Sequence, residues 1–199
     1  EGQSLVRIQD AEGRPGWRIH FDDYINKRYY FSDSFDGLRI DNESRLKAIT
    51  DLKKTHPHLK VLLSVGGWGS GRFSEMAANE SNRQKFAKDC WRVMRAFNLD
   101  GIDIDWEYPT NSSAGISSSL ADTENFTLLM HDIRKAIGKK KLLTLASVAN
   151  GKYIAFDKIK NDVDFVNIMT YDSGHPPYHH ASLHRSPLSG HTTCVEAVK

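Results

Sequence analysis

Helical and extended patterns alternate along the chain from about residue 40 onward. Apolar residues recur at helical spacing over residues 43–54, 81–97 and 122–137. Four short apolar runs, typical of strands buried on both faces, separate and follow these helices: "LKVLLSVGG" (59–67), "DGIDIDWE" (100–107), "KLLTLASVAN" (141–150) and "VDFVNIMTYD" (163–172). Strands separated by helices of this length predict βα units and a parallel sheet, and therefore an α/β fold.

The first 40 residues do not follow this alternation. The stretch "GWRIHFDDYINKRYYFSDSF" (16–35) is rich in aromatic and polar residues without a clean period. We interpret residues 1–40 as an irregular loop or insertion segment with room for a hairpin. Its aromatic side chains either pack locally or stack on a ligand. Residues 41–199 then form the α/β domain.

Three acids share one face of the second predicted strand. Asp103, Asp105 and Glu107 lie two residues apart, and successive strand side chains point to opposite faces. Asp100 stands off this row because an odd offset separates it from the other three. The opposite face is expected to meet covering helices through Ile102, Ile104 and Trp106. A parallel strand in a βα series is covered on both sides, so the row needs protons, hydrogen bonds or a ligand to offset its burial.

In a closed βα barrel, the carboxyl end of each strand opens onto the active-site mouth. Asp103 would then lie deepest, Asp105 next and Glu107 at the rim. Close carboxylates cannot all ionise, so Asp103 and Asp105 should share a proton. We expect a raised pKa for Glu107, as a general acid requires near neutral pH.

Composition and charge narrow the class of protein. With 39% hydrophobic and 26% charged residues, the chain resembles an ordinary soluble globular protein. The net charge of +2 and the scattered Lys and Arg argue against nucleic acid as the main partner. No apolar run is long enough to cross a membrane, and no signal peptide is visible. The two cysteines, Cys90 and Cys194, are too few for a disulfide framework. Cys90 lies on a helical apolar stripe and is expected to be a buried thiol.

Three motifs resemble those of family 18 glycoside hydrolases, the chitinases. "DGIDIDWEYP" (100–109) matches the family signature D-x-x-D-x-D-x-E, "SVGGWG" (64–69) matches S-x-G-G, and "MTYD" (169–172) matches M-x-Y-D. They occur in the family's order, and the similarity covers roughly residues 38–199. The resemblance implies a (β/α)8 TIM barrel and hydrolysis of β-1,4 linkages between N-acetylglucosamine units of chitin.

The resemblance also implies a retaining, substrate-assisted mechanism. Glu107 would protonate the glycosidic oxygen while the substrate's own N-acetyl carbonyl attacks the anomeric carbon. Asp105 would orient the acetamide, and Asp103 would hold the partner proton. Tyr171 would donate a hydrogen bond to the acetamide oxygen, and Asp172 would bind sugar hydroxyls or the acetamide.

Other residues are assigned binding or supporting roles by the same resemblance. Trp68, Gly67, Tyr108 and Met169 are expected to line the substrate site, although Trp68 can equally pack at the barrel top. Ser64, Gly66 and Asp100 are expected to support the strands. Five histidines crowd the Pro-rich stretch "HPPYHHASLHRSPLSGH" (175–191) and could suggest zinc, but we expect neither a metal nor another cofactor.

Three alternatives stay open at this point. An endo-β-N-acetylglucosaminidase of the same family would act on N-glycan cores, and "WEYP" favours chitinase only modestly. A chitinase-like lectin would bind sugar without cleaving it, although such proteins typically lose the acid that Glu107 supplies here. A metal-dependent barrel enzyme would need oxygen ligands that converge from several strands rather than a row along one.

The number of strands falls short of a whole barrel. Eight βα units usually need about 250 residues, whereas the four confident strands resemble strands three to six. We therefore expect an incomplete TIM barrel, a fragment of a catalytic domain. By family resemblance we expect a secreted or extracellular protein whose partners are chitin or N-acetylglucosamine oligosaccharides.

Overall fold

The computed structural model describes residues 3–9, 15–21 and 40–199, with side chains described from residue 46 onward. The strands are β1 (Gln3–Gln9), β2 (Pro15–Phe21), β3 (Leu62–Gly66), β4 (Gly101–Asp105), β5 (Leu142–Val148) and β6 (Phe165–Met169). They form one sheet in the order β2-β1-β3-β4-β5-β6. The helices are α1 (Ile40–Asp51), α2 (Phe73–Ala77), α3 (Glu80–Ala96), α4 (Asp122–Ile137), α5 (Phe156–Ile159) and α6 (Cys194–Ala197), and a 3-10 turn (Leu52–Lys54) follows α1.

The last four strands are the predicted βα series. Neighbouring strands from β3 to β6 are parallel, and Asp103 of β4 pairs in register with Ser64 of β3 and Thr144 of β5. Each of these strands lies within the apolar run that predicted it. The fold is thus the predicted α/β class, with a parallel sheet that corresponds to part of a TIM barrel.

The apolar face of β4 forms the centre of the core. Ile102, Ile104 and Trp106 are buried, as their alternation with the acids predicted. The Trp106 ring stacks on Phe73 of α2 at 5.3 Å between centroids and lies 6.1 Å from Phe126 of α4. Cys90 is fully buried, which confirms the predicted core thiol. The helices therefore cover one face of the sheet and leave the acidic face of β4 for the site.

Two details of the helices were not predicted from the apolar spacing. The stripe over residues 43–54 is only partly covered, since Ile49 and Leu52 each expose 49% of their surface. The α-helix ends at Asp51 and the chain tightens into the 3-10 turn, so Leu52 leaves the predicted face. Asp122 is the first residue of α4, and its buried carboxylate accepts hydrogen bonds from Ser74 and from the backbone of Ser119.

The first segment contains a β-hairpin. Strands β1 and β2 pair antiparallel from Gln3↔Phe21 to Gln9↔Pro15, and Gln3 also pairs with Gly66 of β3. The rest of the aromatic stretch, residues 22–35, lies outside the described residues. The hairpin thus continues the sheet from the β3 side.

The opposite side of the sheet ends at β6. Within the described part of the chain, β6 pairs only with β5, and Phe165 on it exposes 49% of its surface. Across residues 3–9, 15–21 and 40–199, no helix has both the length and the apolar content that crossing a bilayer requires.

Candidate active site

Asp103 is anchored between three strands. Ser64 Oγ donates a hydrogen bond to its Oδ2 at 2.7 Å, and Thr144 Oγ1 and Asn167 Nδ2 donate to its Oδ1 at 2.5 and 3.0 Å. Only 8% of the residue is exposed. Both carboxylate oxygens are therefore bound by donors, and the side chain is fixed at the base of the acidic row.

Asp105 lies one step nearer the strand's end and lacks this support. Its Oδ1 is buried and has no hydrogen-bond partner among the described residues. Burial, followed by the charges of Glu107 and Asp103, raises the pKa of Asp105 to about 7. The proton that Asp103 and Asp105 were predicted to share therefore belongs on Asp105, because three donors already bind the carboxylate oxygens of Asp103.

Glu107 lies just beyond β4 and is half-buried. Burial raises its pKa and the charge of Asp172 raises it further, while the neighbouring Tyr108 hydroxyl acts in the opposite direction. Burial, together with the charge of Glu107, raises the pKa of Tyr108 in turn. The pKa of Glu107 moves in the predicted direction, which favours the protonated carboxyl that a general acid needs.

Glu107 faces a cleft of about 550 Å³ at the carboxyl ends of the parallel strands. Several predicted binding residues line it: Trp68, Tyr108, Met169, Tyr171 and Asp172. Trp68 exposes 63% of its surface and meets the Tyr108 ring edge-on at 6.2 Å between centroids. An exposed indole at a cleft rim offers a flat apolar surface on which a sugar ring can stack.

Two glycines allow β3 to lie against the acidic strand. Gly66 has φ +132°, and a Cβ there would lie 1.9 Å from the Asp105 carbonyl oxygen. The Gly67 amide donates to that same oxygen at 2.8 Å. The pair therefore fixes the backbone of Asp105, which explains why the S-x-G-G motif accompanies the acids.

Tyr171 and Asp172 follow β6 on the other side of the cleft. Burial raises the pKa of Tyr171, and the charges of Asp105 and Glu107 raise it further, so its hydroxyl stays a donor at neutral pH. Asp172 Oδ1 lies 3.4 Å from His180 Nδ1, and the His180 ring stacks on Tyr171. The two predicted residues thus share one histidine neighbour.

The structure does not bring every predicted residue to the cleft. Asp100 lies at the other end of β4, where it accepts a hydrogen bond from the Val61 amide and pairs with Lys53 at 2.8 Å. Burial is the largest single influence and opposes its ionisation, but the hydrogen bonds from Lys53 and Val61 and the charges of Lys53 and Lys60 together outweigh it and lower the pKa of Asp100. Asp100 is thus a structural ion pair, in keeping with the supporting role expected of it.

The histidine-rich stretch does not assemble a metal centre in the described part of the chain. No group of three or more His, Cys, Asp or Glu side chains is placed there to hold a metal ion. His180 contacts Asp172 and Tyr171 instead, and His191 lines the cleft.

Several site residues were missed by the sequence reasoning. Thr144 and Asn167 hold Asp103, and Tyr153 stacks on Tyr108 at 5.5 Å. Part of the signal for the first two was available, because both sit on predicted strands, Thr144 on β5 beside β4 and Asn167 on β6 one strand further. To recognise that these residues contact Asp103, however, one must know how the parallel strands align with one another, and the sequence of a single strand does not give that alignment.

A row of carboxylates at the carboxyl ends of parallel strands, beside an aromatic cleft, is the arrangement of a barrel glycosidase. The model of the family described as Glycosyl hydrolases family 18 matches residues 17–199. The chain belongs to this family.

Individual relatives agree with the family match. The chain is 41% identical over 156 residues to Chitinase A1 of Niallia circulans, an alignment that covers 72% of this chain and 22% of that protein. The chitinase domain of the spore coat protein CotE from Clostridium difficile superposes with TM-score 0.70 at 34% identity, over 92% of this chain and 50% of that one. The Group IV chitinase of Ostrinia furnacalis, solved in complex with allosamidin, also gives TM-score 0.70, at 27% identity over 92% of this chain and 46% of that one. The chain thus spans about half of each solved chain and about a fifth of the bacterial relative.

Proposed function

We propose that this chain carries the catalytic acids of a chitinase, which hydrolyses β-1,4 linkages between N-acetylglucosamine units with retention of configuration. The observation that carries the proposal is the graded environment along one acidic row. Asp103 is bound by three donors, Asp105 has a buried oxygen without a partner, and Glu107 faces the cleft. The carboxyl groups of these three residues thus have three different environments. A mechanism that gives each carboxyl group its own role requires such a difference.

Glu107 acts as the general acid in this proposal. Its raised pKa favours the protonated carboxyl, which is the form that must donate a proton to the glycosidic oxygen. The substrate's N-acetyl carbonyl oxygen then attacks the anomeric carbon as the glycosidic bond breaks, which gives an oxazolinium intermediate. Water opens this intermediate, and Glu107 takes back a proton as general base.

Asp105 assists through the acetamide. Its Oδ1 is buried and has no partner among the described residues, so a turn of the side chain towards the cleft would let it accept a hydrogen bond from the acetamide N–H and orient the carbonyl oxygen for attack. When the oxazolinium forms, Asp105 passes its proton to Asp103 and balances the positive charge as a carboxylate. Asp103 supports this role by holding that proton from its fixed position one step deeper.

Tyr171 and Asp172 complete the acetamide pocket from the β6 side. The Tyr171 hydroxyl, kept protonated, donates to the acetamide oxygen, and Asp172 accepts from sugar hydroxyls or the acetamide. Trp68 and Tyr108 supply the stacking surface, with Met169 lining the pocket. No cofactor enters this scheme.

The test is an assay of the protein, at its natural full length, on N-acetylglucosamine oligosaccharides. We expect cleavage of acetylated substrates, resistance of fully deacetylated ones, and inhibition by allosamidin or by a thiazoline mimic of the intermediate. Equal hydrolysis of both substrates would defeat the substrate-assisted mechanism. Cleavage of N-glycan cores instead would favour the endo-β-N-acetylglucosaminidase alternative, and binding without cleavage would favour a lectin.

A secreted or extracellular location belongs to the same proposal, because chitin is a polymer found outside cells. Detection of the protein in the medium of its producing cells would support this location, and its retention inside them would contradict it.

A further inference from the structure

The loop that follows β6, residues 170–193, forms one wall of the cleft and is here called the post-β6 loop. Ser173, His191 and Thr192 line the cleft from this loop. Backbone hydrogen bonds hold it together, since the Ser173 amide donates to His180 at 3.0 Å and the His191 amide donates to Ser173 at 2.8 Å. The last residues of the loop, including His191 and Thr192, therefore pack against its first residues to form the wall of the cleft.

Arg185 binds this returning end from behind. Its Nη1 donates to the Gly190 carbonyl at 2.8 Å, and its Nη2 donates to the His191 carbonyl at 3.3 Å. Gly190 itself is pressed against the loop's beginning, because a Cβ there would lie 1.7 Å from the Ser173 carbonyl oxygen. One side chain thus holds two consecutive carbonyls of the segment that lines the cleft.

Glu196 of α6 holds Arg185 in place. Arg185 Nε donates to Glu196 Oε1 at 2.9 Å, and Nη2 donates to Oε2 in a bidentate pair. Glu196 is itself fixed, because its Oε2 accepts from the Thr193 amide at 2.9 Å and its own amide donates to Thr193 Oγ1. The Arg185 hydrogen bond lowers the pKa of Glu196 to about 2, so the pair stays charged at any pH suited to an assay.

We propose that Arg185 is a positioning residue that sets the His191–Thr192 wall against the bound oligosaccharide. The inference rests on the proposed function, since it names a determinant of substrate binding at that same cleft. Arg185 lies behind the wall and donates to its carbonyls, so it acts through the backbone and touches no reacting atom. Loss of the clamp should therefore weaken sugar binding and leave the chemical step intact.

The experiment compares Arg185→Ala and Arg185→Lys with the wild type, in the protein at its natural full length, on N-acetylglucosamine oligosaccharides. We expect KM to rise about tenfold for Arg185→Ala, the size of one or two lost hydrogen bonds, with kcat changed less than about twofold. Arg185→Lys keeps the charge but lacks the fork that spans both carbonyls and the carboxylate, so its KM should rise nearly as much. Lys158→Ala is the matched control, because Lys158 forms an exposed ion pair with Glu124 and does not line the cleft.

A purely structural role for the ion pair is tested by exchanging the charges. Arg185→Glu combined with Glu196→Arg can restore an ion pair, but a carboxylate at position 185 cannot donate to the Gly190 and His191 carbonyls. We expect KM to stay high in this double variant even where the melting temperature recovers. Full recovery of KM would overturn the inference, as would a fall in kcat at constant KM or an unchanged KM in Arg185→Ala. A wild-type protein that cleaves no chitin oligosaccharide would instead defeat the proposed function itself.

Discussion

Asp105 and Glu107 carry the same functional group two residues apart on one strand face, yet their surroundings differ. Asp105 has a buried oxygen without a partner and a pKa of about 7, whereas Glu107 is half-buried beside a tyrosine and faces the cleft. Burial is the largest cause of both shifts. Burial therefore favours the protonated form of both carboxyls, in two different settings of one site.

Replacing Glu107 by Gln removes the proton and preserves the shape of the side chain. We expect kcat on N-acetylglucosamine oligosaccharides to fall about 10²–10⁴-fold, which is the usual contribution of a general acid, while binding of the oligosaccharide persists. Steady-state kinetics and calorimetric titration would measure the two effects. Glu80→Gln on the exposed start of α3 is the control, and retention of more than about a hundredth of the activity in Glu107→Gln would contradict the assignment.

The raised pKa of Asp105 predicts how its replacement changes thermal stability with pH. The folded protein holds this proton up to about pH 7, whereas an unfolded Asp loses it near pH 4, so the ionisation of Asp105 lowers stability as pH rises through that window. Asp105→Asn removes the titration. We expect the melting temperature of the variant, relative to wild type, to increase from pH 4 to pH 7 and then to level off. A difference that is constant with pH would show that Asp105 ionises at its ordinary value.

At the scale of elements, the carboxyl ends of β3 and β4 leave no room for a side chain at Gly66. A Cβ on Gly66 would sit 1.9 Å from the Asp105 carbonyl oxygen, so Gly66→Ala must push the two strands apart. We expect a loss of about 1–3 kcal/mol or more in unfolding free energy, with a fall in activity because Asp105 moves. Chemical denaturation and the oligosaccharide assay would measure both. Gly71→Ala is the control, since its Cβ would meet only the Ile116 side chain at 3.9 Å; equal effects of the two substitutions would contradict the explanation.

The same elements explain what the sequence could predict. Each strand from β3 to β6 was predictable because a buried parallel strand is an apolar run, and the acids of β4 stood out against that run. Thr144 and Asn167 were missed because their role arises from the register between strands. The exposure of Ile49 and Leu52 was missed for a related reason: periodicity marks an apolar face but does not say what covers it.

At the scale of the whole molecule, the sheet ends at β6 in the described part of the chain. Among the described strands, β6 pairs with β5 alone, and Phe165 on it is exposed. An unpaired strand edge with apolar side chains is a template for pairing with another chain. We expect the isolated 199-residue polypeptide to self-associate as its concentration rises, which sedimentation velocity would detect.

A substitution on β6 distinguishes self-association through this strand edge from non-specific aggregation of exposed apolar side chains. Phe165→Lys should reduce the self-association, since charge on an edge strand blocks pairing. Leu120→Lys is the control, because Leu120 is 97% exposed in a loop away from the sheet edge. A monodisperse monomer at high concentration would contradict the prediction and would show that the β6 edge does not drive self-association.

The exposure of Trp68 gives the cleft an optical reporter of its own. Among the tryptophans whose side chains are described, Trp106 is buried in the core and Trp91 lies on α3 with the Arg95 guanidinium 5.1 Å from its ring centre, so Trp68 is the one at the cleft. A sugar stacked on Trp68 would displace water from its indole and move its fluorescence emission to shorter wavelength. Titration of the Glu107→Gln variant with oligosaccharide would then follow occupancy of the cleft without turnover, and Trp68→Phe should abolish the signal.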